Sequence, residues 1–235
     1  MKLRAKDVSM ISVLAATYAV LTLIPGIPII GGKGRINLAA SIAPVFGIAL
    51  GPWKGALAAL VGTSIALVLP SGTPTPIGLL FLPAPVISSL VAGLASSRGG
   101  SPYRRAAAPC ILGALVAGWY ATWVGRAAPL YPVPHIVALA LALALWKLPK
   151  RARTEYLVPL VSYCGLMADH MYGNLAFIQF AGLFMPVESI PGLPALFMAV
   201  LPISVAERLL MTAIASLVGV SLLKAMRVLG IEAGA

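Results

Sequence analysis

Long apolar runs separated by short polar or Gly/Pro-rich connections dominate this chain. An α-helix rises 1.5 Å per residue and the hydrocarbon core of a bilayer is about 30 Å thick, so a crossing helix needs about 20 residues. The pattern predicts eight candidate transmembrane helices. They are Val8–Pro25, Asn37–Leu50, Trp53–Leu69, Ile77–Ser97, Ala106–Gly125, Pro134–Leu148, Tyr156–Phe184 and Pro194–Leu223. The second and sixth are short, so each is either tilted within the bundle or re-entrant.

The composition excludes a water-soluble domain. Hydrophobic residues make up 60% of the 235 positions and charged residues only 10%, against about 25% charged residues in soluble domains. A chain of this size has too little interior to hide that much apolar surface from water. We therefore predict an all-α polytopic bundle in the cell membrane, with residues 1–235 forming one integral-membrane domain.

Basic residues exceed acidic residues by 17 to 6, a formal charge of +11. They flank the apolar runs without forming an arginine-rich groove, which argues against a nucleic-acid partner and favours membrane topology. With eight crossings, a retained first helix and both termini cytoplasmic, only Lys33, Arg35 and Arg126 fall outside and Arg208 lies within a span. The cytoplasmic set is Lys2, Arg4, Lys6, Lys54, Arg98, Arg104, Arg105, Lys147, Lys150, Arg151, Arg153, Lys224 and Arg227.

Four ionisable residues lie deep inside predicted spans: Asp169 and His170 in the seventh, and Glu207 and Arg208 in the eighth. Such groups are costly in lipid and usually face the bundle interior or an aqueous cavity. Neighbouring positions on a helix differ by about 100°, so we expect Asp169 and His170 to point in different directions. Two interpretations of the acidic residues and Arg208 stay open, a structural ion-pair network and a ligand site.

Helical spacing extends these positions into a stripe on the seventh span, where Tyr163, His170, Asn174 and Phe177 share one face. The sequence contains no H-E-x-x-H, G-x-S-x-G or phosphate-binding motif. Two histidines are too few for a typical His-rich metal site. We predict neither an enzyme nor a bound metal or cofactor.

Two further segments have suggestive compositions. The connection Gly26–Arg35 (GIPIIGGKGR) is rich in Gly and Pro, which suits either an ordinary loop or a lid. In the first span, Ala15 and Ala19 are small residues four positions apart, which permits close approach of another helix. That helix is either part of this chain, a second copy, or a partner membrane protein.

Three stretches resemble the substrate-binding S components of energy-coupling factor (ECF) transporters, which import vitamins and other micronutrients in prokaryotes. The stretches are SVLAATYAVLTLIP (Ser12–Pro25), INLAASIAPVFGIALGPWKGALAALVGT (Ile36–Thr63) and LPISVAERLLMTAIASLVGVSLLK (Leu201–Lys224). The most specific part is the Leu-Gly-Pro-x-x-Gly turn at Leu50–Gly55.

The resemblance implies that the chain captures a vitamin or similar small organic micronutrient from outside. It also implies association with a transmembrane T component that carries two ABC ATPases. By resemblance, Ala15 and Ala19 dock on the T component. The loop residues Gly31, Gly32, Lys33 and Arg35 would gate the site. Location and polarity make Asn37, Asp169, His170, Asn174 and Arg208 the candidate substrate-binding residues.

The chain departs from the usual six spans of that family, and the hairpin Ala106–Leu148 is the expected addition. Its aromatic residues Trp119, Tyr120 and Trp123 suit packing or interfacial anchoring better than lining the site. The alternative function is a stand-alone proton-coupled secondary transporter of a small organic solute, with Asp169 or Glu207 as the titrating group.

Overall fold

A computed structural model of the chain describes residues 3–24, 27–28, 35–36, 38–69, 76–96, 102–147, 154–231 and 233. Within these ranges the fold is a bundle of α-helices. They are α1 (Ala5–Thr22), α2 (Leu38–Leu50), α3 (Pro52–Val68), α4 (Pro76–Phe81), α5 (Pro83–Ser96), α6 (Pro102–Ala121), α7 (Trp123–Ala127), α8 (Val133–Lys147), α9 (Thr154–Gln179) and α10 (Leu193–Val228). Short 3-10 helices cover Ala181–Leu183 and Val187–Gly192.

Each of the eight apolar segments predicted from the sequence coincides with a helix or a pair of helices. The fourth segment is divided at Leu82, where Pro83 lacks the amide N–H that a continuous helix needs. The fifth is divided at Thr122, whose hydroxyl accepts a hydrogen bond from Gly125 N–H at 2.9 Å and begins α7. Local hydrogen-bonding chemistry thus determines both breaks.

Three helical stretches within the described residues are long and apolar enough to cross a membrane: Ala5–Thr22, Gly78–Ser96 and Val187–Val228. Four shorter apolar helices, each of 10–17 residues, lie among them. The fold is therefore that of a helical membrane protein. The count of eight crossings and the cytoplasmic location of both termini stay predictions.

Short α2 is the central helix of the bundle. Every residue of 41–50 is buried, and the helix packs against α1, α3, α5, α9 and α10. Because protein rather than lipid surrounds it, α2 does not need the length of a lipid-facing helix. This placement accounts for the short second apolar segment.

The Leu-Gly-Pro-x-x-Gly turn brings α2 and α3 into backbone contact. Gly51 adopts a positive φ of 81°, which only glycine adopts readily, and Gly55 N–H donates to the Gly51 carbonyl at 2.9 Å. A Cβ atom on Gly55 would lie 2.6 Å from the Cα of Gly47 in α2. A larger residue at Gly55 would push the two helices apart, and any other residue at Gly51 would strain the turn.

Two more glycines extend this close packing to α5 and α9. A Cβ atom on Gly93 would lie 2.5 Å from the Cα of Pro52, and one on Gly165 would lie 2.6 Å from the carbonyl oxygen of Ser88. Close approach at small residues is how helices gain packing energy in a lipid environment. The glycines therefore join α2, α3, α5 and α9 into one tight core.

Ion pairs show which helix ends lie together. Lys54 Nζ, at the start of α3, is 2.9 Å from Oδ1 of Asp7 in the first turn of α1. Arg227 Nη2, at the end of α10, is 2.6 Å from Oε1 of Glu155 at the start of α9. Met226 of α10 also belongs to the same apolar cluster as Ile11 of α1. These four helix ends therefore share one end of the bundle, called the basic end below.

Small residues on α1 face inward. Ala15 and Ala19 are 1% and 5% exposed, and α1 packs closely on α3. A Cβ atom on Gly62 of α3 would lie 2.9 Å from the Ala15 carbonyl oxygen. Ala15 and Ala19 therefore pack against the chain's own α3, which is the intrachain alternative, and their docking on a T component stays a prediction.

The α1–α2 connection contains one short antiparallel pairing beside the all-helical bundle. Ile27–Pro28 (β1) pairs antiparallel with Arg35–Ile36 (β2), with Ile27 opposite Ile36. Of the predicted gating residues, Arg35 lies in β2. Gly31, Gly32 and Lys33 lie outside the described residues.

We expect Gly47→Ala to destabilise the bundle, because its Cβ would overlap the Ser89 carbonyl and lie 2.7 Å from Gly93 N. Overpacking of this kind costs about 1–3 kcal/mol. The measurement is thermal unfolding of the purified protein in detergent. Gly182→Ala is the control, since a Cβ there meets nothing within 4 Å. Equal melting temperatures for the two variants would contradict the close-packing argument.

Candidate functional site

A cavity of about 550 Å³ lies between the helices and away from the basic end. Its walls include Thr22 at the end of α1 and Ala40 near the start of α2. The α3–α5 side contributes residues such as Thr63 and Phe81, and α9 and α10 complete the lining of this partly open cavity. The cavity thus lies at the opposite ends of α1 and α2 from the Asp7–Lys54 pair.

The cavity brings together four of the five predicted substrate-binding residues: Asp169, His170, Asn174 and Arg208. Asn37 lies outside the described residues. Asp169 and His170 both line the cavity, although neighbouring positions on a helix point about 100° apart. The cavity contacts a wide arc of α9, because its lining also includes Asn174, which lies about 140° around the helix from Asp169.

Three aromatic side chains line the same space: Tyr18 from α1, Phe81 from α4 and Phe177 from α9. Phe177 lies on the stripe predicted from helical spacing, whereas sequence reasoning missed Tyr18 and Phe81. The sequence did contain a signal for Tyr18, since its polar hydroxyl group lies within an otherwise apolar span. Phe81 carried no such signal, since a phenylalanine in an apolar run is equally suited to packing against lipid.

Arg208 is the central charge of the site. Its Nη1 lies 3.9 Å from Oδ2 of Asp169, and its Nη2 lies 3.3 Å from Oε1 of the neighbouring Glu207. The three side chains are only 12–14% exposed. The ion-pair network and the cavity wall therefore share the same residues. At 3.9 Å the contact with Asp169 is too long for a hydrogen bond, which leaves both groups capacity to bind a ligand.

The segment leading into α8 adds a second polar network that sequence reasoning missed. Asn174 Nδ2 donates to the Tyr131 hydroxyl at 3.1 Å. His135 Nε2 lies 3.2 Å from His170 Nδ1, and the Tyr131 hydroxyl lies 3.5 Å from His170 Nε2. The sequence offered one hint, since His135 and His170 are the only histidines in the chain.

The aromatic residues of the Ala106–Leu148 hairpin do not line this cavity. Trp119 is fully buried and stacks on Tyr131, with ring centroids 4.7 Å apart and an interplanar angle of 24°. Tyr120 and Trp123 are exposed on the surface of the bundle. Trp119 therefore packs behind the cavity, and the other two are placed where lipid or the interface can cover them.

Comparison with known proteins identifies the family. A family model described as "ECF-type riboflavin transporter, S component" matches residues 2–128, more than half of the chain. The chain belongs to this family. This match confirms the resemblance to ECF S components. S components are substrate-binding subunits of membrane transporters and not enzymes.

The comparison with a curated relative adds less information about this S component than the family match does. An uncharacterized protein of Methanocaldococcus jannaschii is 29% identical over 197 residues, which cover 79% of this chain and 60% of the relative. The chain thus spans about three fifths of the length of the curated relative that it matches. No solved structure matches the chain. The family match also ends before α8, α9 and α10, so it does not reach the side of the cavity that contains Asp169 and Arg208.

We expect Arg208→Met to lower the melting temperature, because it leaves Asp169 and Glu207 without their shared cation. Removing one partner from a buried ion pair costs about 3–5 kcal/mol, and less where a cavity admits water. The double variant Arg208→Met/Asp169→Asn should recover part of the loss, since it removes one uncompensated carboxylate. Thermal unfolding in detergent measures both. A double variant no more stable than the single one would argue against the ion-pair network.

Proposed function

We propose that this chain is the substrate-binding subunit of an ECF-type ABC importer and that it captures riboflavin. The observation that supports the proposal most strongly is the family match combined with a vitamin-sized cavity inside the helix bundle. Small-molecule sites typically enclose about 300–1,000 Å³, a range that includes this cavity.

The chemistry of the walls suits a flavin. Riboflavin consists of a flat ring system with one polar edge and a polyhydroxyl tail. Tyr18, Phe81 and Phe177 offer aromatic surface to a flat ring. Asp169 and Arg208 can bind hydroxyl groups or ring carbonyls, the carboxylate as acceptor and the guanidinium as donor.

Charge placement supports capture from outside. If the basic end, with Arg4, Lys54 and Arg227, faces the cytoplasm, both termini are cytoplasmic and the cavity lies in the outer half of the membrane. The connection from Thr22 to Ala40 then lies on the outer side, since both of its flanking residues line the cavity. Gly31, Gly32, Lys33 and Arg35 would form a gate there.

Energy for import would come from partners. The sequence has no phosphate-binding loop, so the two ABC ATPases that associate with a T component would hydrolyse ATP.

Residues 1–235 would form one integral-membrane domain with Ala106–Leu148 as the added hairpin. Because the family match extends to residue 128 and includes α6, the part of the hairpin that lies outside the match is the segment from Pro129 to Leu148, with α8.

The exposed face of α1 offers a docking surface as an alternative to Ala15 and Ala19. Ser12 and Ala16 are both exposed and lie four positions apart, so they form a small-residue stripe that permits close approach of another helix. We place the contact with the T component on this stripe.

Riboflavin binding is tested by titrating purified protein into riboflavin and following the quenching of flavin fluorescence. Phe177→Ala should weaken binding about tenfold, because it removes an aromatic wall. Phe180→Ala is the matched control, since Phe180 lies nearby, is exposed and does not line the cavity. Absence of binding to the wild-type protein, or equal losses in both variants, would rule out this site for riboflavin.

The transport mechanism is tested in proteoliposomes. Uptake of riboflavin should require the T component, the ATPases and ATP. Uptake by this chain alone, driven by a proton gradient and abolished by Asp169→Asn, would instead establish the proton-coupled carrier.

Docking is tested by co-purification with a T component and its ATPases. Ala16→Trp should abolish co-purification and leave riboflavin affinity unchanged, because its bulk separates the helices without reaching the cavity. Leu79→Trp, at an exposed position on α4, serves as the control. Intact complexes with the Ala16 variant would place the docking surface elsewhere.

A further inference from the structure

Two cavity residues are held from behind by side chains that do not line the cavity. Asn174 and His170 face the cavity, while Tyr131 and His135 contact them from the segment leading into α8 and from α8 itself. Tyr131 and His135 are each 1% exposed. Both lie beyond residues 2–128, so the family match does not assign them a role.

One assignment of protons satisfies all three hydrogen bonds and makes a prediction about the tautomer of His170. In this assignment the Tyr131 hydroxyl, which also interacts with the Ser204 side chain, accepts from Asn174 Nδ2 and directs its own proton toward His170 Nε2 at 3.5 Å. His170 Nε2 is then an acceptor and its proton resides on Nδ1, which donates to His135 Nε2 at 3.2 Å. This assignment predicts the Nδ1–H tautomer of His170, and the amide nitrogen of Asn174 is directed toward Tyr131.

Aromatic packing prevents Tyr131 from rotating out of this arrangement. Trp119 stacks on its ring, and Phe197 of α10 packs edge-on against it with centroids 4.9 Å apart. Phe197 also meets Trp119 edge-on at 5.0 Å. Three interlocked rings therefore keep the Tyr131 hydroxyl at a fixed distance from the cavity wall.

We propose that Tyr131 and His135 are positioning residues for substrate specificity, holding Asn174 and His170 so that the cavity presents the Asn174 amide oxygen as a fixed acceptor. The acceptor suits a ligand with an N–H donor at the edge of a flat ring, such as the imide of riboflavin. This inference rests on the proposed function for its ligand and on the described hydrogen bonds for its geometry.

A double-mutant cycle on riboflavin affinity tests the link from Tyr131 to Asn174. Tyr131→Phe should weaken binding about 3- to 10-fold, the range for one lost hydrogen bond. In an Asn174→Ala background the same change should have little further effect, because Tyr131 acts through Asn174. Equal losses in both backgrounds would show a general structural role and overturn the inference.

The His135 link has a conservative rescue. His135→Phe removes the acceptor for His170 Nδ1–H and should weaken riboflavin binding. His135→Gln supplies an amide oxygen in its place and should restore most of the affinity. Equal affinities for the Phe and Gln variants, with melting temperatures also equal, would exclude a positioning role for His135.

Nitrogen-15 NMR of histidine-labelled, ligand-free protein tests the geometry independently of riboflavin, because the chain has only two histidines. We expect the proton on Nδ1 of His170 and a hydrogen-bond contact to Nε2 of His135. A proton on Nε2 of His170 would overturn the inference. Wild-type protein that shows the histidine contact but does not bind riboflavin would refute the proposed substrate and support the positioning geometry. Tight riboflavin binding together with an additive Tyr131/Asn174 double-mutant cycle would support the proposed substrate and refute the positioning role of Tyr131.

Discussion

Backbone contact between helices is the constraint on which the rest of this structure depends. Lipid is as apolar as a leucine side chain, so helices in a bilayer gain little from burying apolar surface and associate through close packing. Gly47, Gly55, Gly93 and Gly165 allow that packing around the central helix α2. The same helices, further from these contacts, surround the cavity. The tight core thus supplies the rigid frame that an open binding site needs.

The buried charges serve this frame and the site together. Arg208 lies between two carboxylates, Asp169 across the helix interface and Glu207 beside it. A charge at this depth must find a partner or water, and Arg208 has both an acidic partner and a cavity. The two interpretations left open by the sequence, a structural network and a ligand site, therefore describe two functions that the same side chains can perform.

The contacts of the Ala106–Leu148 hairpin show that its residues have two different roles. Its exposed aromatics, Tyr120 and Trp123, face outward. Its buried residues Trp119, Tyr131 and His135 form the support for α9 behind the cavity. The hairpin, whose aromatic residues were expected to serve packing or anchoring, is thus also part of the environment of the candidate binding residues.

The sequence by itself determined the membrane class, the positions of the helices, the turn at Gly51 and four residues of the cavity wall. These properties depend on the length of apolar runs, the cost of buried charge and local backbone chemistry, all of which can be read along one chain. Only the tertiary structure decided that Ala15 and Ala19 face α3, that Asp169 and His170 share the cavity, and that Tyr131 and His135 support it. Each of these depends on how a helix is rotated against its neighbours, which requires knowing which helices pack together.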